Sequence, residues 1–411
     1  MRIWIVNYYT GNPDKVANPR YVQLAKHFMA KNWKVTTFNA NHINMEAPLF
    51  ERKQYGEYDY VHVKSPGYFG NGLKRMWSIF KFAWTLYRRA NKFERPDVVL
   101  HNIHMPFDYP IVWMSKKLKS KYIAEAWDVW PEDFVASGLL SANNPVMRFA
   151  YWVEKKCYYN ADALIFTYLG SKTRLKEKGW TTETGGMIEP SSIHYINNGV
   201  DLLEFDEDVK KYPRPDCELK RSDITKIVYL GSINGANQVD TLIETADLLK
   251  NEKKYKFYIY GDGSKREELE RMVHDRNIPN VSLMEKRIPF KEVAWVVSQA
   301  TINVMNYEKG FGRWGVSSGK LFQYLAAGKP IICNVDIKYD NVIKDNNLGI
   351  CRDLYSASEY AEAIKNLAEQ SPEEYEAMCR RVRHIAEQFD YNKLAQKEIS
   401  VIQALFENKN E

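Results

Sequence analysis

The stretch Ile227-Val-Tyr-Leu-Gly-Ser-Ile-Asn-Gly-Ala-Asn-Gln-Val-Asp-Thr-Leu-Ile-Glu-Thr-Ala-Asp-Leu-Leu249 decides the fold. Ile227 to Leu230 is a short apolar run of strand length. Gly231, Ser232, Asn234, Gly235 and Asn237 then form a loop of small residues, and Val239 to Leu249 carries apolar side chains at helical spacing. A strand entering a helix through such a loop is the opening of a doubly wound α/β unit. The same alternation continues through Phe257–Tyr260, the helix Lys265–His274, Val281–Leu283, Ile302–Val304 and Ile331–Asn334.

Upstream, a separate set of strand-length runs occupies Ile3–Val6, Val35–Phe38, Val98–Leu100, Tyr122–Ala124 and Leu164–Thr167, with a helix from Tyr21 to Lys31. Two parallel sheets, each covered by helices on both faces, are therefore expected. The charged, proline-containing stretch Asp206–Asp223 reads as the linker between them. The expected division is residues 1–200 and 201–387. The last helix, from about 388 to 411, is expected to pack back on the first domain. In open α/β sheets ligands lie beyond the carboxyl ends of the strands, so a cleft between the two sheets is the expected site.

At 411 residues the chain has room for two such domains, and 45% hydrophobic with 27% charged residues is ordinary globular composition. The formal charge of +6 suits an anionic small ligand or a membrane surface. The basic residues are spread rather than gathered on a nucleic-acid module, so no nucleic-acid partner is expected. Five cysteines without a Cys-x-x-Cys pair argue against a zinc cluster or a disulfide framework. The start lacks the pattern of a signal peptide, and no run approaches the ~18 apolar residues of a membrane span.

Three loops place small residues between a strand and a helix: Asn7 to Pro13 with Gly11, Gly231 to Asn237, and Gly315-Val-Ser317-Ser318-Gly319-Lys320. Glycine admits a close anion, a helix N-terminus offers free N–H groups, and Lys320 adds a full charge. For each loop singly, a tight strand-to-helix connection is the better reading. Three together point to a bound diphosphate, although the spacing is not that of a P-loop.

Several segments resemble retaining glycosyltransferases of family 4, with the two-domain GT-B architecture. These are Ile196-Asn-Asn198-Gly-Val-Asp201, Tyr229-Leu-Gly231-Ser, Tyr260-Gly261-Asp-Gly263 followed by Arg266 to Leu269, and Lys320-Leu-Phe-Gln-Tyr-Leu-Ala-Ala-Gly328-Lys-Pro330. Glu125-Ala-Trp-Asp128-Val-Trp-Pro131-Glu132 and Ser317-Ser-Gly-Lys320 are similar to bacterial O-antigen and capsule enzymes, including transferases of N-acetylfucosamine-type sugars. The resemblance implies a metal-independent transfer of a sugar from a nucleotide-diphosphate donor, UDP favoured, to a polyprenyl-diphosphate-linked saccharide. It also implies a cytoplasmic enzyme working at the inner membrane face, with no cofactor.

The chain departs from the family pattern. The usual pair of glutamates falls on Gly315 and Gln323, so Glu308 is the candidate for a displaced carboxylate. The usual basic residues after the first donor-domain strand are Ser232, Asn234 and Asn237, which leaves Lys320 and Arg287 as cations. The donor site is thus expected at Gly11, Gly231, Ser232, Asn234, Gly261, Arg287, Ser317 to Leu321 and Gln323. Backbone N–H groups and Lys320 would hold the diphosphate. His101, His104, Trp127 and Asp128 are expected at the acceptor, with Asp128 orienting a hydroxyl; an N-cap or structural role for Asp128 is an equal alternative. A UDP-sugar epimerase of the same fold and a degenerate binding protein remain as competing readings.

Gly70 to Phe93 carries no acidic residue. It combines Lys74, Arg75, Lys81 and Arg88 with Leu73, Trp77, Phe80 and Trp84, while a second apolar row runs through Ile79, Phe82 and Leu86. A helix packed on the first sheet and a helix lying on an anionic membrane both fit this pattern.

Overall fold

The computed structural model describes residues 1–10, 20–44, 46–56, 58–68, 70, 72–104, 106–132, 135, 140–216 and 218–407. The chain divides into two compact units, residues 1–197 with 392–411, and residues 198–391. The chain first changes unit after Asn197, slightly before the expected boundary. Asp206–Asp223 is not a free linker, because its first residues belong to the helix Leu202–Lys211 inside the second unit. Asp201 caps that helix by accepting from the Glu204 N–H, and Phe205 is buried.

The first unit holds a sheet in the order β3-β4-β2-β1-β5-β6-β7-β8. Its strands are β1 (Arg2–Val6), β2 (Lys34–Asn41), β3 (Phe50–Tyr55), β4 (Tyr58–Lys64), β5 (Val98–Asn102), β6 (Lys121–Ala126), β7 (Ala163–Phe166) and β8 (Ile193–Tyr195). All pairs are parallel except the β3–β4 hairpin at one edge. That hairpin escapes a reading by apolar runs because Phe50-Glu-Arg-Lys-Gln-Tyr55 is largely polar, as suits an edge strand.

The second unit holds an all-parallel sheet in the order β11-β10-β9-β12-β13-β14. Its strands are β9 (Thr225–Leu230), β10 (Tyr255–Tyr260), β11 (Val281–Leu283), β12 (Ile302–Met305), β13 (Ile331–Cys333) and β14 (Gly349–Cys351). The central strands are buried on both faces, which is why they read as unbroken apolar runs.

The C-terminal tail is two helices, Pro372–Ala386 and Tyr391–Glu407, separated by a 3-10 turn. Leu394, Ala395, Ile399 and Ile402 of the last helix are buried in the first unit. An ion cluster anchors it there. Arg20 donates from Nε to Glu125 Oε1 at 2.7 Å, from Nη1 to the Asn197 carbonyl at 2.6 Å, and from Nη2 to Glu398 Oε2 at 3.2 Å. Two carboxylates share one guanidinium inside the protein, so burial and the Glu125 charge push the Glu398 carboxyl up to about 8.

Candidate active site

In the second unit the candidate donor loops meet at the carboxyl ends of β9 and β10. The β9 loop is held by hydrogen bonds from Gly231 N–H to the Tyr260 carbonyl (3.1 Å) and from Ile233 N–H to the Asp262 carbonyl (2.9 Å). A Cβ added to Gly261, whose φ is +142°, would lie 1.8 Å from the Gly231 carbonyl oxygen. Gly261 is therefore required by the crossing of two loops, a packing reason where its sequence context suggested a ligand contact. Arg266 locks the arrangement by donating to the carbonyls of Gly261 (2.6 Å) and Met284 (2.8 Å).

Lys320 enters this corner from the second position of the helix Gly319–Ala327. Its stem is partly exposed, but its Nζ is buried and has no hydrogen-bond partner among the described residues. The ammonium lies 4.8 Å from the ring centroid of Tyr229 and 5.2 Å from that of Tyr307. A Cβ on Gly231 would stand 3.0 Å from Nζ, so the glycine leaves the ammonium its space. Desolvation lowers the lysine to about 8, opposed only by the nearby Cys333 thiol. A buried cation faced by two aromatic rings is held by ring quadrupoles, and it has no counter-anion among the described residues. It can take one.

The neighbouring residues divide into those that shape this corner and those that stand near it. The Tyr229 hydroxyl donates to the Ser232 carbonyl at 2.6 Å, and the Leu230 N–H donates to the Tyr324 hydroxyl at 3.2 Å. Ser232 and Asn234 are exposed on the β9 loop, and Gln323 is half-buried. Ser318 occupies the N-cap position without a side-chain cap bond, and Gly319 opens the helix. Glu308 is exposed, and its N–H donates to the Ala236 carbonyl at 2.8 Å, which sets it beside the β9 loop.

Three donor expectations change. Leu321 is 2% exposed within the core of the second unit and packs rather than binds. The Ser317 hydroxyl accepts from the Asn198 N–H at 3.2 Å and its carbonyl accepts from Asn198 Nδ2 at 3.0 Å, so both oxygens serve to fasten the loop. Arg287 is exposed on the loop after β11, at the sheet edge and two strands from β9, so it stands apart from the Lys320 corner. Gly11 lies outside the described residues.

In the first unit, aromatic side chains line the carboxyl ends of the strands. Tyr9 follows β1 and stacks on His104 after β5, with centroids 4.7 Å apart and planes at 11°. His104 approaches Trp127 after β6 at 6.4 Å, and Trp127 stacks on Tyr21 at 5.1 Å. The Trp127 Nε1–H is buried without a partner among the described residues. Burial lowers His104 to about 4, which keeps the imidazole neutral. Asp128 is exposed yet flanked by protein mass, and that desolvation raises its carboxyl.

His101 departs from expectation. It is 2% exposed, its Nδ1 pairs with the Tyr122 hydroxyl at 2.8 Å, and its Nε2 lies 3.2 Å from Asp108 Oδ2. Both ring nitrogens are engaged, so it supports the loop. Asp108 Oδ2 also accepts from the His104 N–H at 3.1 Å. No group of three or more potential metal-ligating side chains occurs among the described residues.

The helix Leu73–Arg89 packs one face on the first unit and leaves the other outward. Ile79, Phe82, Ala83 and Leu86 are buried, whereas Leu73 and Trp77 are exposed and Phe80 and Trp84 are half-buried in a stacked row. Lys81 lies over Trp77, while Lys74 and Arg88 are exposed. Arg75 is half-buried and donates from Nε to the Tyr9 hydroxyl at 2.6 Å. Among the described residues no helix is long and apolar enough to cross a membrane.

Sequence reading missed Tyr9, Tyr229 and Tyr307. Tyr229 sat inside a quoted motif as a strand residue, and nothing in its spacing shows that its ring faces a lysine ninety-one positions away.

Residues 19–203 match the family Glycosyltransferase Family 4, and residues 216–385 match Glycosyl transferases group 1. A relative, the probable glycosyltransferase WbjE of Pseudomonas aeruginosa, is 23% identical over 289 residues, which covers 68% of this chain and 67% of the relative. Among solved structures, sucrose-phosphate synthase from Thermosynechococcus elongatus superposes with a TM-score of 0.76 at 15% identity, covering 99% of this chain and 100% of that one. HepE of Anabaena, solved in complex with UDP and glucose, gives a TM-score of 0.66 at 12% identity over 98% of this chain and 100% of its own. Two parallel-sheet units, a match to a glycosyltransferase family in each of them, and full-length likeness to glycosyltransferase structures agree: the chain is a glycosyltransferase of the GT-B fold and the family 4 type.

Proposed function

We propose that this enzyme transfers a sugar, with retention, from a UDP-sugar to a polyprenyl-diphosphate-linked saccharide in bacterial surface-polysaccharide synthesis. The observation that carries the reading is the buried ammonium of Lys320 between Tyr229 and Tyr307, without a hydrogen-bond partner among the described residues. When the donor's C1–O bond breaks, charge grows on the departing diphosphate. A preorganised cation with low-dielectric surroundings stabilises that charge without a metal. The free N–H groups at Ser318 and Gly319, at the start of the Lys320 helix, add donors of the same kind.

On the acceptor side, the stacked Tyr9 and His104 rings and the Trp127 indole offer flat apolar faces suited to a saccharide. Asp128, accessible and with its carboxyl raised, is the group we assign to orienting the attacking hydroxyl. The oxygen of that acceptor hydroxyl would bond to C1 as the C1–O bond to the diphosphate breaks, with the hydroxyl proton passing to the departing diphosphate. The outward aromatic and basic row of Leu73–Arg89 would hold the enzyme on the cytoplasmic face of the membrane, where such an acceptor lies.

The test is calorimetric titration with UDP and with GDP in EDTA. Saturable UDP binding that Lys320→Ala abolishes supports the reading. Failure of both nucleotides to bind, with or without a divalent metal, overturns it.

A further inference from the structure

The helix Pro145–Tyr159 repeats the chemistry of Leu73–Arg89 on the same face of the first unit. Val146, Phe149 and Trp152 are 61, 51 and 54% exposed, at a spacing of three that sets them on one side. Phe149 stacks on Trp152 with centroids 6.0 Å apart. Lys156 lies over the Trp152 ring, and Lys155 lies over Tyr159. The helix has a single acidic residue, Glu154, and that carboxylate is buried against Arg174 at 2.6 Å. The exposed side therefore carries cations and large apolar rings with no carboxylate.

The two helices are joined by a third. Strands β5, β6 and β7 are adjacent and parallel, so right-handed crossovers place Pro110–Leu118 and Pro145–Tyr159 on one face of the sheet. Pro110–Leu118 packs beside Leu73–Arg89, with Trp113, itself 44% exposed, against Trp84 and Tyr87. Lys116 reaches the Asn160 side chain at the end of Pro145–Tyr159. Pro110–Leu118 has no acidic residue either.

We propose that these three helices form one docking surface for an anionic lipid bilayer, and that Phe149 and Trp152 are its second anchor beside Trp77. The inference rests on the membrane reading of Leu73–Arg89 and extends it. Charge complementarity selects the occupant: ammonium groups at the level of lipid phosphates and rings in the headgroup layer match this composition. One amphipathic helix leaves a protein free to rock on a surface. Two separated anchors fix its tilt, and so would fix the direction in which Tyr9, His104 and Trp127 face the lipid headgroups.

The experiment is vesicle co-flotation of the full chain, with vesicles of phosphatidylcholine containing 30% phosphatidylglycerol and with pure phosphatidylcholine. Phe149→Ser/Trp152→Ser, Lys155→Glu/Lys156→Glu and Trp77→Ser are compared with the parent, and UDP titration of each shows that it is folded. The expected result is binding to the anionic vesicles that falls about tenfold or more in each variant, with UDP affinity unchanged. Parent-like partitioning of both helix Pro145–Tyr159 variants overturns the proposal, and if Trp77→Ser still loses binding the single-helix reading survives. A parent that binds neither vesicle overturns both membrane readings, while retained UDP binding leaves the donor site standing.

Discussion

The Lys320 ammonium lies 4.8 Å from the centroid of the Tyr229 ring, and a Cβ on the next residue but one, Gly231, would come within 3.0 Å of the same nitrogen. Strand β9 thus supplies a ring to hold the cation, and the loop that follows it supplies a missing side chain to make room for it. The arrangement costs stability, since a charge is buried without a counter-ion. That cost is reasonable for a group whose partner arrives as substrate.

Replacing Lys320 should separate stability from binding. Lys320→Met removes the buried charge and keeps most of the stem, so at pH 7 the ligand-free protein should gain about 1–3 kcal/mol, read by denaturant unfolding. UDP binding should be lost in the same variant. Unchanged or lower stability would mean that the ammonium has a partner in solution.

The pH dependence follows from the sign of the shift. The lysine is lowered from 10.5 to about 8, so between those values the unfolded chain holds the proton that the native chain has released. Ligand-free stability should rise with pH across that window. UDP affinity should do the opposite, falling roughly tenfold per unit above about pH 8, because binding then requires proton uptake. Titrations in buffers of different ionisation enthalpy would show that uptake as a buffer-dependent binding heat.

Gly261→Ala should be destabilising by about 2–4 kcal/mol, since φ of +142° strains any L side chain and the new methyl would meet the Gly231 carbonyl at 1.8 Å. Thermal unfolding measures it. Gly231→Ala should leave stability nearly unchanged and weaken UDP binding by displacing Lys320.

Glu398→Gln should flatten the stability profile on the acid side. The Glu398 carboxyl moves from 4.5 to about 8, so the native chain keeps a proton that the unfolded chain releases, and stability declines as pH rises between those values. The amide keeps an acceptor for Arg20 and has no proton to release. Unfolding midpoints of the variant should vary less than those of the parent from pH 5 to 8; an identical slope would show that Glu398 is ionised in the native protein.

Local patterning determined the architecture. The central parallel strands are buried on both faces, so burial wrote them into the sequence as apolar runs, and the glycine loops marked where strand turns into helix. The polar edge strand Phe50–Tyr55 and the three-residue strand β14 carried no such mark, because edge and very short strands bury little. Lys320 was legible as a cation at a helix start. Its counter-ion-free burial was not, since that depends on Tyr229 and Tyr307, which arrive from other strands. His101 and His104 looked equivalent as neighbours on one strand end, and the tertiary structure separated them: Tyr122 and Asp108 engage both nitrogens of one, while Tyr9 stacks on the other. Arg75 was likewise indistinguishable from Lys74 until the helix docked and turned it toward Tyr9. Periodicity is a property of neighbours in sequence, so it settles the elements. Solvent exclusion and partnering are properties of neighbours in space, so only the assembled sheets and helices decided which of these side chains meet a ligand and which hold the fold.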